Sequence, residues 1–424
     1  MKCSSKGLLI ITLLYIYLPV AIFLVGFTKL PIWILTLGIM GFFGYKLYCD
    51  YRPQEEDCII VKPWVMAAVA GIITVICILL GFGGIFAQAG DWHKHNAVLH
   101  DLVERKWPVY YVRYEKSMLT YYLGQYMLPS LVGKIAESGR EGSGFAVAEA
   151  VMAVWGIIGL VLVYINLVRI TKADRVKSQL RLVFIMIFFC GALPLAQIIC
   201  NEVFGNKMHS LGAHHWLLVD NLMLQYRSNM VMIRWIYPQI IVVWLITILF
   251  LENREKTRHY VLLLTPLMIF GTFSVVILGM LAVISALVTV IGSDNRKGSI
   301  ADIFSLSNIL SMATLGTVFI TYFWGYLQVE KPAYISFKAQ NLNVVSLTVV
   351  FIFDICMFGV YAVCVFEREK KNVIFYAVTA MLAVIPLFRM GLCNDWVMGT
   401  SMPGHVQLMI IFCVLQMTLM CVTR

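Results

Sequence analysis

The sequence predicts an all-α fold, a polytopic bundle of transmembrane helices, and three observations support this prediction. The chain has 424 residues, of which 60% are apolar and only 13% are charged, whereas soluble domains average about a quarter charged residues. Its long apolar runs match the roughly 20 residues that a helix needs to cross a bilayer. Lipid cannot satisfy open backbone groups, and the short alternating segments typical of an outer-membrane barrel are absent.

Eleven apolar runs place the whole chain, residues 1–424, in a single membrane domain without a visible internal repeat. The first run is too long for the core of a signal peptide, so we expect it to remain as a membrane helix. The run at 260–292 is too long for one upright helix, and Gly271 and Gly279 offer places for it to break. The runs lie at 8–27, 30–48, 64–89, 145–168, 182–204, 233–251, 260–292, 303–327, 344–366, 373–390 and 404–422.

The basic residues predict the orientation of the helices. The net charge of +10 comes from short clusters between apolar runs, which argues against a nucleic-acid surface. The clusters at 169–177, 254–258 and 368–371 are expected on the cytoplasmic side of the cell membrane. All three clusters and both termini lie on this side if the run at 260–292 crosses the membrane twice, which gives the chain twelve crossings. A single tilted helix at 260–292 would give eleven.

This topology places three polar loops on the outer face, at 90–144, 205–232 and 391–403. They contain or border seven of the eight histidines and the densest aromatic stretches. The remaining short loops carry little besides charge. We therefore expect any chemistry to take place on the outer face.

The first outer loop begins with Asp91, directly after the apolar run at 64–89. A carboxylate that is partly desolvated at a helix end can have its pKa raised toward that of a general base. The alternative is a solvated surface residue. Beyond Asn96, apolar residues recur at helical spacing, which predicts an amphipathic interfacial helix ending at Trp107-Pro108, and the tyrosines between Tyr110 and Tyr126 suit headgroup depth. A plain membrane anchor is the other interpretation of this segment.

Asp91, His93 and His95 also suggest a site for a divalent metal ion, because imidazole and carboxylate groups bind such ions. Their alternate spacing suits a strand, however, whereas the following sequence predicts a helix. The metal site therefore remains one of several interpretations of these residues.

Cationic and polar residues of the outer loops are candidates for binding an anion. An arginine near the membrane is costly unless it is paired or binds an anion, and its planar fork suits phosphate. Snorkelling to the surface and pairing with a carboxylate are the alternatives. The third loop adds a second acidic group in a short polar turn. The candidates are His93, His95, Arg113, Lys134, Arg227, Arg389, Asn394 and Asp395.

Three stretches together resemble bacterial multi-pass membrane proteins of the GT-C glycosyltransferase-type architecture: DWHKHNAVLHDL with the following WPVYY and LTYYLGQYMLPSLVGK, then QYRSN with RWIYPQ, and CNDWVMGTSMP. The resemblance implies that the acidic residue of the first long outer loop is the catalytic base, and Asp91 matches it by position. It also implies a sugar donor carried on a polyprenyl phosphate. In the last stretch Trp396 stands where those proteins have phenylalanine, and Gly399 where they have arginine.

The expected function is an inverting glycosyltransferase that moves a sugar from a polyprenyl-phosphate donor to a glycan, lipid or protein acceptor on the outer leaflet. Asp91 would be the base, and the cations named above, with His93 or a divalent ion, would stabilise the departing phosphate. A transporter or flippase of a lipid-linked or anionic substrate is the main alternative, because Asp354 is the only charged residue in its apolar run. A polysaccharide polymerase or ligase, and a non-catalytic membrane protein of the same fold, are further alternatives.

Overall fold

The computed structural model describes residues 2–51, 58–88, 90–111, 117–190, 216–219, 222–323, 337–340, 343–390 and 394–422. Within these ranges helices predominate, and strands form four antiparallel pairs of four residues or fewer per strand. The expected outer loop at 205–232 lies partly outside the described residues.

In the first half of the described chain, three apolar helices are followed by two shorter, more polar ones and then by a long apolar helix. Proline occupies the first turn of the second and third helices, where its missing N–H costs nothing. A short 3-10 turn at Phe82–Gly84 follows the third helix. The elements are β1 (Lys2–Ser4), α1 (Ser5–Phe27), α2 (Leu30–Asp50), β2 (Cys58–Ile60), α3 (Pro63–Leu79), α4 (Asp91–Glu104), β3 (Tyr110–Tyr111), β4 (Ser117–Met118), α5 (Gly124–Gly139), α6 (Gly144–Thr171) and α7 (Val176–Phe188).

The second half contains more broken helices. A 3-10 turn covers Thr257–His259, another covers Ile385–Leu387, and a π turn covers Ile355–Gly359. The elements are β5 (Trp216–Val219), β6 (Leu222–Gln225), α8 (Asn229–Trp235), α9 (Tyr237–Glu252), α10 (Tyr260–Leu264), α11 (Leu267–Phe270), α12 (Thr272–Gly292), α13 (Arg296–Ile303), α14 (Leu306–Phe323), β7 (Lys338–Ala339), α15 (Val344–Asp354), α16 (Val360–Glu369), α17 (Val373–Val384), β8 (Phe388–Arg389) and α18 (Asp395–Val422).

Seven helical segments of the described chain are long and apolar enough to cross a membrane, which confirms the predicted all-α, multi-pass bundle. Three shorter apolar segments accompany them, at Pro63–Leu79, Tyr237–Glu252 and Val373–Leu387. The seven are Ser5–Phe27, Leu30–Asp50, Gly144–Thr171, Thr272–Gly292, Arg296–Phe323, Val344–Glu369 and Asp395–Leu419.

Helix α9 lies at the centre of the bundle. Every side chain from Tyr237 to Phe250 is buried, including Trp244, as expected of a helix that is apolar on all sides. Helix α2 lies at the periphery, where Leu35 and Tyr45 are each 66% exposed. A large exposed apolar surface of this kind faces lipid in a membrane protein.

Several helices have their termini on the same side of the bundle, where contacts of charged residues join them. We call this side the basic face. Arg169 at the end of α6 pairs with Glu252 at the end of α9 at 2.5 Å. Lys256 donates to the carbonyl of Asp50, the last residue of α2, and Arg258 pairs with Asp302 of α13.

Both termini of the described chain also lie at the basic face. Lys6, at the start of α1, has its Nζ atom 5.8 Å from the ring centroid of Tyr48 in α2. Arg368, at the end of α16, donates to Thr418 near the end of α18. The three basic clusters predicted to share one side of the membrane are therefore on one side of the bundle.

The long apolar run at 260–292 turns back on itself. It starts at the basic face after Thr257–His259, is interrupted at Pro266, and breaks at Gly271, whose neighbourhood includes Val243 of α9. Helix α12 then returns, so that its end faces the loop at Arg254 across a cavity. Of the two glycines predicted as breaking points, Gly271 is the break, whereas Gly279 lies inside the continuous helix α12.

Candidate functional site

The site begins where the backbone turns sharply into α4, at the end of the bundle opposite the basic face. Gly90 has φ +61°, and a Cβ atom at this position would lie 2.7 Å from the indole of Trp235. Only glycine tolerates both conditions. Asp91 is consequently the first residue of α4, where the partial positive charge of the helix N-terminus favours a carboxylate. The helix thus starts earlier than the predicted one, which began after Asn96.

Asp91 and Lys94 form the open part of the site. Their side chains are 40% and 51% exposed, and the Lys94 Nζ atom lies 3.4 Å from Oδ1 of Asp91. The same ammonium lies 5.3 Å from the ring centroid of Tyr121. The carboxylate is therefore both accessible and close to an exposed positive charge.

Residues from three distant stretches act on one another electrostatically here. The carboxyl group of Asp395, at the start of α18, interacts with the charges of Lys94, Arg227 and Asp91. Burial, together with the negative charges of Asp91 and Asp395, raises the pKa of the Tyr121 phenol. We call Asp91, Lys94, Tyr121, Arg227 and Asp395 the Asp91 site. The structure thus brings together all three predicted polar stretches.

Three tyrosines, two of them partly buried and one fully buried, form one wall of the Asp91 site. Tyr121 stacks edge-on against Tyr122 with ring centroids 5.1 Å apart, and its ring is 6.3 Å from that of Tyr126. Burial raises the pKa of both Tyr122 and Tyr126, so their phenols stay protonated and can donate hydrogen bonds. Tyr126 is fully buried. Headgroup anchoring, the predicted role for these tyrosines, therefore does not apply to Tyr126.

His95 has a structural role, whereas the sequence predicted it as a ligand. Its Nδ1 atom lies 2.6 Å from the Tyr126 hydroxyl and its Nε2 atom 2.9 Å from the Trp235 carbonyl. Burial lowers the pKa of His95 to about 4. Both ring nitrogens are engaged, so His95 cannot bind a metal ion or a phosphate without losing these bonds.

The metal site predicted at Asp91, His93 and His95 does not form around His93 either. His93 is exposed, two residues from both Asp91 and His95 on a helix, where such residues do not share a face. Among the residues that the structure describes, no group of three or more His, Cys, Asp or Glu side chains could hold a metal ion.

Lys134 also differs from its predicted role as a phosphate ligand. Its ammonium donates to the carbonyls of Val103 and Arg105 at the end of α4 and lies 5.4 Å from the ring centroid of Trp107. A cation at this point satisfies carbonyls that the helix leaves open. Burial lowers the pKa of Lys134. The side chain thus joins α5 to α4.

The remaining predicted residues lie around the start of α18. Asn394 is buried with φ +53°, and its Oδ1 atom accepts a bond from the Met390 amide. It shapes the turn that presents Asp395. Arg389 lies on β8, which pairs with Lys338 of β7. Arg113 lies outside the described residues.

The position of Gly399, where the resembling proteins have arginine, is filled by a neighbouring helix. A Cβ atom there would lie 2.8 Å from Cβ of Phe273 in α12, and Ser274 donates to the Gly399 carbonyl at 2.8 Å. Trp396 packs between Phe273 and Phe337. The close contact between α12 and α18 leaves no room for an arginine side chain in this arrangement.

Lys94 was not predicted as a site residue, and Tyr121 was predicted only as one of a group of tyrosines. Lys94 follows Asp91 by three residues, the spacing of neighbours on a helix, so a helix starting at Asp91 would have revealed it. Tyr121 has no comparable local signal. Comparison of the chain with protein-family models, with curated proteins and with solved structures finds no match.

Proposed function

We propose that the chain is a membrane glycosyltransferase that moves a sugar from a polyprenyl-phosphate donor to a cell-envelope acceptor, with Asp91 as the general base. The observation that carries the proposal is the convergence of two carboxylates, two cations and a tyrosine from three distant stretches at one end of a membrane bundle. Such a set offers both a base and a site for an anionic leaving group.

Asp91 is the better base of the two carboxylates because it is the more accessible. Its side chain is 40% exposed, so an acceptor hydroxyl can reach it. In the proposed step the hydroxyl gives its proton to Asp91 while its oxygen forms a bond to the anomeric carbon. The bond from that carbon to the phosphate oxygen breaks, the electron pair leaves with the phosphate, and the anomeric configuration inverts.

Lys94 and Arg227 are the groups that would stabilise the departing phosphate. Lys94 is half exposed, whereas Arg227 is 94% buried, with 6% of its surface accessible. The charges of both act on the carboxyl group of Asp395, and the two cations differ in burial. Preorganised cations of this kind stabilise charge that develops in a transition state. The phenols of Tyr121 and Tyr122 would donate hydrogen bonds to sugar hydroxyls.

The orientation follows from the basic face. Short loops rich in lysine and arginine remain in the cytoplasm, and the clusters at 169–177, 254–258 and 368–371 share that face. With the reversal at Gly271, the chain crosses the cell membrane twelve times and keeps both termini in the cytoplasm. The Asp91 site then faces the outer leaflet, where acceptors of the cell envelope lie.

The test is a transfer assay with the full-length protein in liposomes, using radiolabelled polyprenyl-phosphate sugars and cell-envelope lipid as acceptor. We expect label to move to the acceptor with the wild type, and Asp91→Asn to lower the rate by at least about a hundredfold. Glu104→Gln is the matched control, because Glu104 is an exposed carboxylate on the same helix. Transfer that persists in Asp91→Asn would remove Asp91 from the role of base.

A specific observation favours transport as the second candidate function. Asp354 is 93% buried inside a membrane helix, with 7% of its surface accessible, and its Oδ1 atom has no hydrogen-bond partner among the described residues. The π turn at Ile355–Gly359 follows it directly, and π turns are frequent at functional sites. Cys190 donates to the freed carbonyl of Met357. Buried carboxylates in membrane helices often mark substrate or ion pathways.

Asp354→Asn separates the two functions. If the chain is a transferase, this variant should keep transfer in the same liposome assay. If the chain is a flippase, Asp354→Asn should abolish movement of the labelled lipid between leaflets in protein-containing vesicles, while the wild type moves the lipid without attaching its sugar to an acceptor.

A further inference from the structure

A polar cavity of about 390 Å³ opens at the basic face between the loop after α9, the end of α12 and the turn from α16 to α17. It lies at the opposite end of the bundle from the Asp91 site and has no part in the proposed transfer. Its lining includes three cations, Arg254, Arg368 and Lys371, and two carboxylates, Glu255 and Glu369.

The charges in this cavity are not all neutralised within the protein. Glu369 faces Arg368 at 3.7 Å and accepts a bond from Asn372 at 2.7 Å, so this carboxylate is already engaged. None of the ion pairs among the described residues involves Arg254 or Lys371. These two cations therefore face a single remaining carboxylate, that of Glu255.

The rim of the cavity is apolar and exposed. Val288 of α12 and Val373 of α17 both line it, and their side chains are 40% and 51% exposed. One turn further along α12, Ile291 is 71% exposed. In a membrane these side chains contact acyl chains. The cavity thus combines a cationic interior with an exposed apolar edge near the ends of membrane helices.

We propose that this cavity binds a phosphate group, and that the ligand is the headgroup of an anionic glycerophospholipid. Arg254 and Lys371 would contact the phosphate, while the acyl chains would lie against Val288 and Val373. Basic pockets between membrane helices on the cytoplasmic side are suited to such headgroups. A bound lipid would also join the loop after α9 to the turn between α16 and α17, two loops that are far apart in sequence.

Native mass spectrometry of the full-length protein in detergent tests this proposal. The protein is incubated with phosphatidylglycerol, which carries a net negative charge, or with phosphatidylcholine, which does not. We expect phosphatidylglycerol adducts to be retained preferentially and to fall by about tenfold in the double variant Arg254→Gln/Lys371→Gln. Arg296→Gln/Lys297→Gln is the matched control, because both residues are exposed on α13 at the same face, outside the cavity, and we expect it to keep the adducts.

The proposal would be overturned by equal retention of both lipids, by unchanged adducts in the double variant, or by the same loss in the control. An unfolding midpoint equal to the wild type shows that the double variant is folded. A parallel incubation with excess inorganic phosphate distinguishes a lipid headgroup from free phosphate as the ligand. Binding of inorganic phosphate without any phosphatidylglycerol adduct would assign the site to free phosphate and overturn its assignment to lipid.

Discussion

The two ends of the bundle use the same kinds of charged residue in opposite ways. At the basic face, Arg169 and Glu252 are 5% and 15% exposed and meet at 2.5 Å, with Arg169 also donating to Asn166 and Tyr51. At the other end, Asp91 and Lys94 are 40% and 51% exposed and approach only to 3.4 Å.

This difference separates charges that hold the fold from charges that are available to a ligand. A buried, multiply hydrogen-bonded pair already has its partners, and removing one partner strands the other in a dry environment. An exposed, loosely paired carboxylate contributes little to stability and remains free to accept a proton. Variants that break the buried Arg169–Glu252 pair should therefore lower stability, and variants in the Asp91 site should lower activity.

The largest expected change in stability comes from breaking the buried pair. Arg169→Met removes the guanidinium that pairs with the Glu252 carboxylate, and we expect a loss of about 3–5 kcal/mol, measured as a lower unfolding midpoint in detergent. Lys370→Gln is the control, because Lys370 pairs with Glu367 at the same face while both side chains stay more than half exposed, at 52% and 81%. A loss in the control as large as in Arg169→Met would contradict the distinction.

The next largest effect is a pH dependence at the Asp91 end. His95 has its pKa lowered to about 4 by burial, from 6.5. Above pH 6.5 His95 is neutral in both states and its contribution to stability is fully present. As the pH falls toward 4 the unfolded chain gains a proton that the folded chain does not, so stability is lost, by up to about 3 kcal/mol.

Unfolding midpoints recorded across this pH range measure the effect of His95. His95→Gln should flatten that part of the profile, whereas His93→Gln, at an exposed position on the same helix, should leave it unchanged. An unaltered profile in His95→Gln would show that another group causes the pH dependence.

The sequence predicted much of the fold because hydrophobic length and loop charge are local properties. The membrane helices, the grouping of the basic clusters and the reversal within 260–292 follow from them, whereas the choice of Gly271 over Gly279 as the break does not. It also placed an amphipathic helix in the first polar loop. Its start at Asp91 was not predicted, because the need for glycine at position 90 comes from the Trp235 indole, far along the chain.

The candidate site could be predicted only in part. The three polar stretches indicated Asp91, Arg227 and Asp395, and the structure brings these together. The roles of His95 and Lys134 could not be read from sequence, because their partners are backbone carbonyls 140 and 31 residues away. A backbone carbonyl has no sequence signature. A side chain that bonds to one, such as His95 or Lys134, therefore looks like a candidate ligand until the fold is known.

A smaller effect is expected at the contact between α12 and α18. Gly399→Ala places a Cβ atom 2.8 Å from Phe273, and overpacking of this kind costs about 1–3 kcal/mol. Gly279→Ala is the control, since nothing lies within 4 Å of a Cβ atom there and alanine favours a helix. Thermal unfolding of both variants checks this, and equal midpoints would contradict the tight contact.

The smallest effect concerns the half-exposed cation of the Asp91 site. Lys94→Gln should lower the transfer rate about tenfold, because a solvent-screened charge stabilises the leaving phosphate less than a buried one. Lys94→Arg should retain most of the rate. Lys106→Gln, at an exposed position just beyond the end of α4, is the control. A rate unchanged in Lys94→Gln would remove Lys94 from the site.

The most direct test of the division between the two ends measures transfer and unfolding on the same preparations of Asp91→Asn and Arg169→Met. Asp91→Asn should lose at least about a hundredfold in transfer rate while its unfolding midpoint stays within about 1 °C of the wild type. Arg169→Met should lose stability but keep its transfer rate per folded molecule. A lowered midpoint in Asp91→Asn with transfer retained per folded molecule would make Asp91 a structural residue and contradict the account.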